Sequence, residues 1–249
     1  MKRIVIIGCG NVGLEYLKKL CMTDIALDIS LIDIDLEKLE GEILDLEQSL
    51  VYRDNNINIK LGDYSDCNDA DIVVITAGVS QSIKNRMDDL EKANEIVVDI
   101  TNKLRDTTFN GIILVASNPM DVITELIAHY LDYPYNKVIG TGCMLDTARL
   151  KSLISKKIKV KANDINIYVL GEHGDSQVVA WSNANIGLEN LSRFLSLDEK
   201  EELEDNTRHM GGTITKRKGY TSDGVAVCLL ELTLCILNDL KKVYSVSNY

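Results

Sequence analysis

Short unbroken runs of Val, Ile and Leu alternate along the first half of the chain with longer stretches whose apolar residues recur every three or four positions. KRIVIIG (2–8), DISLID (28–33), INIKL (57–61), ADIVVITAG (70–78), GIILVAS (111–117) and NKVIG (136–140) read as strands. Between them, 11–22, 36–50, a long region reaching about 106, and 120–131 carry helical spacing. Strands alternating with helices imply parallel pairing through right-handed crossovers, and continuous apolar strands imply a sheet covered on both faces. After Gly142 the pattern changes. A helix over about 145–155 leads into DINIYVLG (164–171) and QVVAW (177–181), then two long helical stretches. The second of these sets Ala226, Leu230, Thr233, Leu234, Leu237 and Leu240 on one stripe, and VYSVS (243–247) reads as a final strand. This predicts a doubly wound parallel α/β domain over 1–142 and an α+β domain over 143–249.

Composition narrows the function. The formal net charge is −11, which disfavours nucleic acid and anionic membrane surfaces as partners. An anionic substrate would therefore need a local cation. The N-terminal apolar run, Ile4 to Ile7, is shorter than a signal peptide's core, and the longest apolar stretch, 225–237, is broken by Glu231. A cytoplasmic protein is expected. Its six cysteines lack paired spacing, so neither disulfides nor a metal site is expected.

GCGNVG (8–13) follows a strand and opens a helix, and Asp33 ends the second strand twenty residues beyond Gly13. In that context G-x-G-x-x-G is a dinucleotide fingerprint of the Rossmann type. Gly8 permits the tight turn, Gly10 lets a pyrophosphate approach the backbone, and Gly13 lets helix and sheet pack closely. The helix N-terminus presents N–H groups to the phosphates. Asp33 accepts from the adenosine ribose and repels a 2′-phosphate, which favours NAD over NADP.

Two further stretches carry candidate chemistry. LGEHGDS (170–176) places His173, one of only three histidines, among glycines and acids. GTGCMLDTARL (140–150) places Asp146 and Arg149 three apart on a helix, at the carboxyl end of the sixth strand, where open α/β sheets bind ligands. A histidine in a surface turn and a solvated Asp–Arg pair are the simpler readings of each stretch alone.

Together IIGCGNVG, LID, TAG, SNP, GTGCMLDTARL, LGEHGDS and KGYTSDG resemble, in order and over essentially the whole chain, the L-lactate/malate dehydrogenase family. The resemblance implies an NAD-dependent oxidoreductase acting on a 2-hydroxy or 2-oxo acid. It implies that His173 is the acid/base, that Asp146 orients its imidazole, and that Arg149 clamps the substrate carboxylate. Asn118 would contact cofactor and substrate, and Thr221 would line the pocket. Asn11, Val12, Thr76, Ala77 and Gly78 would join Gly8, Gly10, Gly13, Asp33 and Asn118 around NAD. Relatives are dimers or tetramers, so a homo-oligomer is expected.

Within TAGVSQSIKNRMDDLEKAN (76–94), the substrate-selecting position of the family falls on Gln81. A neutral amide leaves a second substrate carboxylate unpaired, which favours lactate and pyruvate over malate. The family's loop arginine, which polarises the substrate carbonyl, is met by Arg86 if the register shifts by one residue. In an ungapped alignment Met87 stands there. One step on a helix is a rotation of about 100°. A malate dehydrogenase and an NAD-binding relative with little activity are the alternatives. The family also continues beyond VYSVSNY with more of the second sheet and a long helix, so the second domain reads as incomplete. Lower stability than a full-length relative, or burial of that edge in a partner, is the corresponding expectation.

Overall fold

The computed structural model describes residues 1–54, 56–79 and 86–248, the side chains of 86–89 excepted. Six parallel strands form the first sheet: β1 (Lys2–Ile7), β2 (Leu27–Ile32), β3 (Ile57–Leu61), β4 (Ile72–Ile75), β5 (Ile112–Val115) and β6 (Val138–Gly140), in the order β3-β2-β1-β4-β5-β6. The order reverses between β1 and β4, the switch point at which doubly wound sheets open a crevice at their carboxyl ends. Ile4 lies between Ile29 and Ile72 on the neighbouring strands. Ile4, Ile6, Ile72, Val73 and Val74 are fully buried, and each such side chain contributes about 1.5–3 kcal/mol.

The intervening helices are α1 (Asn11–Cys21), α2 (Leu36–Leu50), α3 (Arg86–Arg105) and α4 (Met120–Leu131). Their buried positions follow the helical period. Leu39, Ile43 and Leu46 do so on α2, which Asp35 caps by accepting from the Lys38 N–H at 3.2 Å. Ala93, Val97, Ile100 and Leu104 do so on α3 and pack in one cluster with Val73, Ile113 and Ile127. Lys18 and Lys19 in the last turn of α1 complement its dipole.

The later elements are α5 (Met144–Ile158), β7 (Ile165–Asn166), β8 (Val169–Leu170), β9 (Val178–Val179), β10 (Asn185–Ile186), β11 (Glu189–Asn190), α6 (Leu197–Lys218) and α7 (Asp223–Leu237). DINIYVLG is two short strands rather than one. β7 pairs with β10, which also pairs with β11, whereas β8 forms an antiparallel hairpin with β9. α6 starts with a capping box between Ser196 and Glu199 and ends at Gly219, whose φ is 92°.

By packing, the described residues of 1–140 and 222–242, with 248, form one compact unit, and 141–221 and 243–247 form another. The sequence division at 142 follows a change in the hydrophobic pattern, whereas this grouping follows packing. α7 falls in the first unit because it lies along α1, where Tyr16 Oη and Thr233 Oγ1 share a buried hydrogen bond of 2.6 Å. Its buried face also differs from the expected stripe. Ala226 and Thr233 are buried, but so are Cys228, Leu229 and Leu232, while Leu230, Leu234 and Leu237 are half-buried. Leu240 lies beyond the helix and is exposed. A helix apolar nearly all round has no single face for periodicity to find.

VYSVS is not a strand: among the described residues only Ser247 makes a β-bridge. The preceding turn bends through positive φ at Asp239 and Lys241. The backbone of 245–247 instead passes over Gly142, where a Cβ would come within 2.6 Å of Ser245 O. No disulfide joins any of the six cysteines, and among the described residues no acidic, His or Cys cluster is placed to hold a metal. Among them, too, no helix is long and apolar enough to cross a membrane.

Candidate active site

The β1–α1 turn is built as the glycine pattern requires. Gly8 has φ 94°, and a Cβ there would sit 2.3 Å from Ala77 Cα. A Cβ on Gly13 would sit 2.2 Å from Gly8 O. Around Gly10, by contrast, nothing lies within 4 Å of a would-be Cβ. No side chain caps α1 and no acid occupies its first turn, so the N–H groups of Asn11, Val12 and Gly13 remain for an anion. Thr76 Oγ1 donates to Gly8 O at 2.5 Å and ties this turn to the end of β4. Ser117, overlooked by the sequence reading, donates to Ala77 O at 2.5 Å and ties the end of β4 to that of β5. Gly78 and Asn118 are exposed at those strand ends.

Asp33 accepts from the Cys9 N–H at 2.5 Å and the Asp35 N–H at 3.0 Å. Each carboxylate oxygen keeps a second lone pair, so ribose hydroxyls can still be accepted. Burial, with Asp33 adding to it, pushes the Cys9 thiol up to about 12 and keeps it neutral beneath the phosphate turn. An open glycine, unpaired helix N–H groups and a half-exposed acid together fit a dinucleotide.

The second cluster lies between α5 and the β8–β9 hairpin. Asp146, Leu150 and Ile154 recur on the inward stripe of α5, so the carboxylate is carried into the interior and is 1 % exposed. One oxygen, Oδ2, lies 2.5 Å from His173 Nδ1. The other, Oδ1, accepts from Arg149 Nη1 at 2.9 Å. A buried charge without partners would be costly, and here two cationic or proton-donating groups compensate it. The solvated Asp–Arg pair is thereby excluded, and so is the free surface turn.

The hairpin loop holds His173 through its backbone. Gly171 has φ 88°, and its carbonyl accepts from the Cys143 thiol at 3.3 Å. Thr147, next to Asp146, accepts from the Val169 N–H at 3.0 Å. Adjacent residues of α5 therefore grip both the loop and its strand. Thr147 is a residue the sequence reading missed. Its signal was a small polar side chain beside the apolar stripe of α5, where only a hydrogen-bonded hydroxyl can be buried cheaply. The imidazole keeps 27 % of its side-chain surface exposed, enough to meet a ligand. Arg149 is nearly buried, and its Nε has no hydrogen-bond partner among the described residues. Such an unpaired donor fits an incoming carboxylate.

Thr221 is half-buried in the α6–α7 connection. Gln81 lies outside the described residues. Arg86 and Met87 fall in the first turn of α3, but their side chains are likewise outside them.

Family models match both parts of the chain. The lactate/malate dehydrogenase NAD binding domain matches residues 2–140, and the alpha/beta C-terminal domain of the same family matches residues 143–249. The chain belongs to the lactate/malate dehydrogenase family. It is accordingly an NAD-dependent oxidoreductase, in a family of 2-hydroxy-acid dehydrogenases. An L-lactate dehydrogenase from a Geobacillus species is 38 % identical, over 100 % of this chain and 80 % of its own length. Another, from Staphylococcus epidermidis, is 36 % identical over 99 % and 80 %. A minor L-lactate dehydrogenase from Enterococcus mundtii, solved with ligands bound, superposes with a TM-score of 0.96 at 33 % identity, covering 100 % of this chain and 81 % of that one. A lactate dehydrogenase from a Medee basin deep-sea metagenome gives 0.94 at 36 % identity, over 98 % and 80 %. The expected family, the doubly wound fold and the NAD cofactor thus stand.

Proposed function

We propose that the chain interconverts L-lactate and pyruvate, with His173 as the acid/base. The observation that carries this is the shared carboxylate: Asp146 holds His173 with one oxygen and Arg149 with the other. When bound, NADH supplies a hydride to the carbonyl carbon of the 2-oxo acid. With Nδ1 engaged by Asp146, Nε2 of His173 delivers the proton to the carbonyl oxygen, and takes it back in the reverse direction. Asp146 selects that tautomer and stabilises the imidazolium. Arg149 Nε and Nη2 offer the side-on fork that a carboxylate accepts. Asn118 and Thr221 are assigned to cofactor and substrate contacts, and Gln81 to refusing a second carboxylate. Arg86 is assigned to polarising the carbonyl.

The test is NADH oxidation by the purified chain with pyruvate and with oxaloacetate in parallel. Pyruvate turnover well above that of oxaloacetate is expected. The reverse preference makes the chain a malate dehydrogenase. NADH binding without oxidation by either acid would show a relative that has kept only its cofactor site.

A further inference from the structure

Glycine in a helix interior sacrifices stability, and α6 carries two in succession, Gly211 and Gly212. Their surroundings differ. Nothing lies within 4 Å of a Cβ built on Gly212, whereas one on Gly211 would lie 3.3 Å from Arg149 Nη2, 3.6 Å from Nη1 and 3.7 Å from Cζ. The two terminal nitrogens lie nearer than Cζ, so Gly211 backs the Nη1–Nη2 end of the guanidinium.

We propose that Gly211 is a positioning residue that seats the Arg149 guanidinium, setting its plane for a substrate carboxylate. This rests on the reading of Arg149 as the carboxylate anchor. A methyl group at 211 requires the guanidinium to yield by a few tenths of an ångström. Arg149 has little room to do so, because Nη1 is tied to Asp146, and Asp146 is tied to His173. The plane therefore tilts or the Arg149–Asp146 bond lengthens, and either change spoils a two-point fit while leaving the acid/base pair in place.

Gly211→Ala and Gly212→Ala, each also made in an Arg149→Ala background, test this in the full chain. Gly212→Ala is expected to raise Tm and leave the KM for pyruvate unchanged. Gly211→Ala is expected to raise that KM about tenfold with kcat within about twofold, and to gain less Tm than Gly212→Ala. In the Arg149→Ala background the two alanines are expected to raise Tm alike, since the obstruction is gone. An unchanged KM for Gly211→Ala, or equal Tm gains for the two alanines with Arg149 present, overturns the proposal. If wild type reduces no 2-oxo acid, the reading of Arg149 fails, and the Tm cycle still decides whether Gly211 seats it. If Gly211→Ala alone does not fold, its rescue by Arg149→Ala supports the proposal, and failure of both overturns it.

Discussion

Asp146 Oδ2 lies 2.5 Å from His173 Nδ1, and Asp146 reaches it from a stripe of α5 otherwise given to Leu150 and Ile154. An acid on the buried face of a helix is stable only if its partners are delivered to it. The hairpin brings one partner and the next turn of α5 brings the other. Asp146→Asn keeps the shape but can present its N–H₂ to Nδ1, which favours the wrong tautomer. It is expected to lower kcat/KM for pyruvate by about 10²-fold or more, with a far-ultraviolet CD spectrum like that of wild type. Activity within threefold of wild type would remove Asp146 from the mechanism.

Arg149→Lys retains the charge and discards the planar fork. The Asp146 contact can survive as a point-charge pair, whereas two-point binding of a carboxylate cannot. We expect the KM for pyruvate to rise about 10²-fold, exceeding any fall in kcat. Steady-state kinetics at several pyruvate concentrations check this, and a loss confined to kcat would assign Arg149 another role.

Thr147→Val replaces the acceptor of the Val169 N–H with a methyl group. The amide is buried, so its lost hydrogen bond costs about 1–3 kcal/mol. For a chain of this size that is a fall in Tm of several degrees, at about 2–4 °C per kcal/mol. Because the same hairpin carries His173, turnover should fall too. An unshifted melting curve would show that Thr147 does not hold the hairpin.

Asp33 accepts the Cys9 and Asp35 N–H groups, and we propose that its remaining lone pairs accept the adenosine ribose. Asp33→Ala is expected to weaken NADH binding while narrowing the gap to NADPH, as the repulsion of a 2′-phosphate disappears. Fluorescence titrations with both nucleotides measure this. Undiminished preference for NADH would place the discrimination elsewhere.

Burial pushes the thiols of Cys9 and Cys67 up to about 12 and that of Cys21 up to about 11, from an ordinary value near 9. Folded thiols thus keep protons that the unfolded chain releases. Their contribution is complete below pH 9 and is lost as pH rises towards 11–12. The slope is about 1.4 kcal/mol per pH unit for each thiol in that window. Urea midpoints should fall from pH 9 upwards, less so in Cys21→Ala. The same burial predicts slow alkylation of Cys9 in the native protein at pH 8, and rapid native labelling there would contradict it.

The parallel sheet was legible because its inner strands β1, β4 and β5 are apolar runs rich in Val and Ile and its helices repeat at 3.6, signals that local sequence carries. INIKL and the helices at 36–50 and 120–131 coincide with observed elements to the residue. The glycine fingerprint was legible because each glycine answers a local steric demand, as the would-be Cβ clashes at Gly8 and Gly13 show. The second unit was harder to read. Its strands are two residues long, DINIYVLG divides between two sheets, and VYSVS pairs only at Ser247.

By itself, then, the amino-acid sequence determined the order of elements in the parallel sheet and the glycine turn, and it named candidate reacting groups, since each is signalled by neighbours a few positions apart. Tertiary structure alone decided that one buried carboxylate serves both His173 and Arg149, that Thr147 holds the hairpin, and that Gly211 abuts the guanidinium of Arg149. Apart from the Asp146–Arg149 pair, three positions apart on α5, those relations join residues 22 to 62 positions apart, and close packing decides which of them meet.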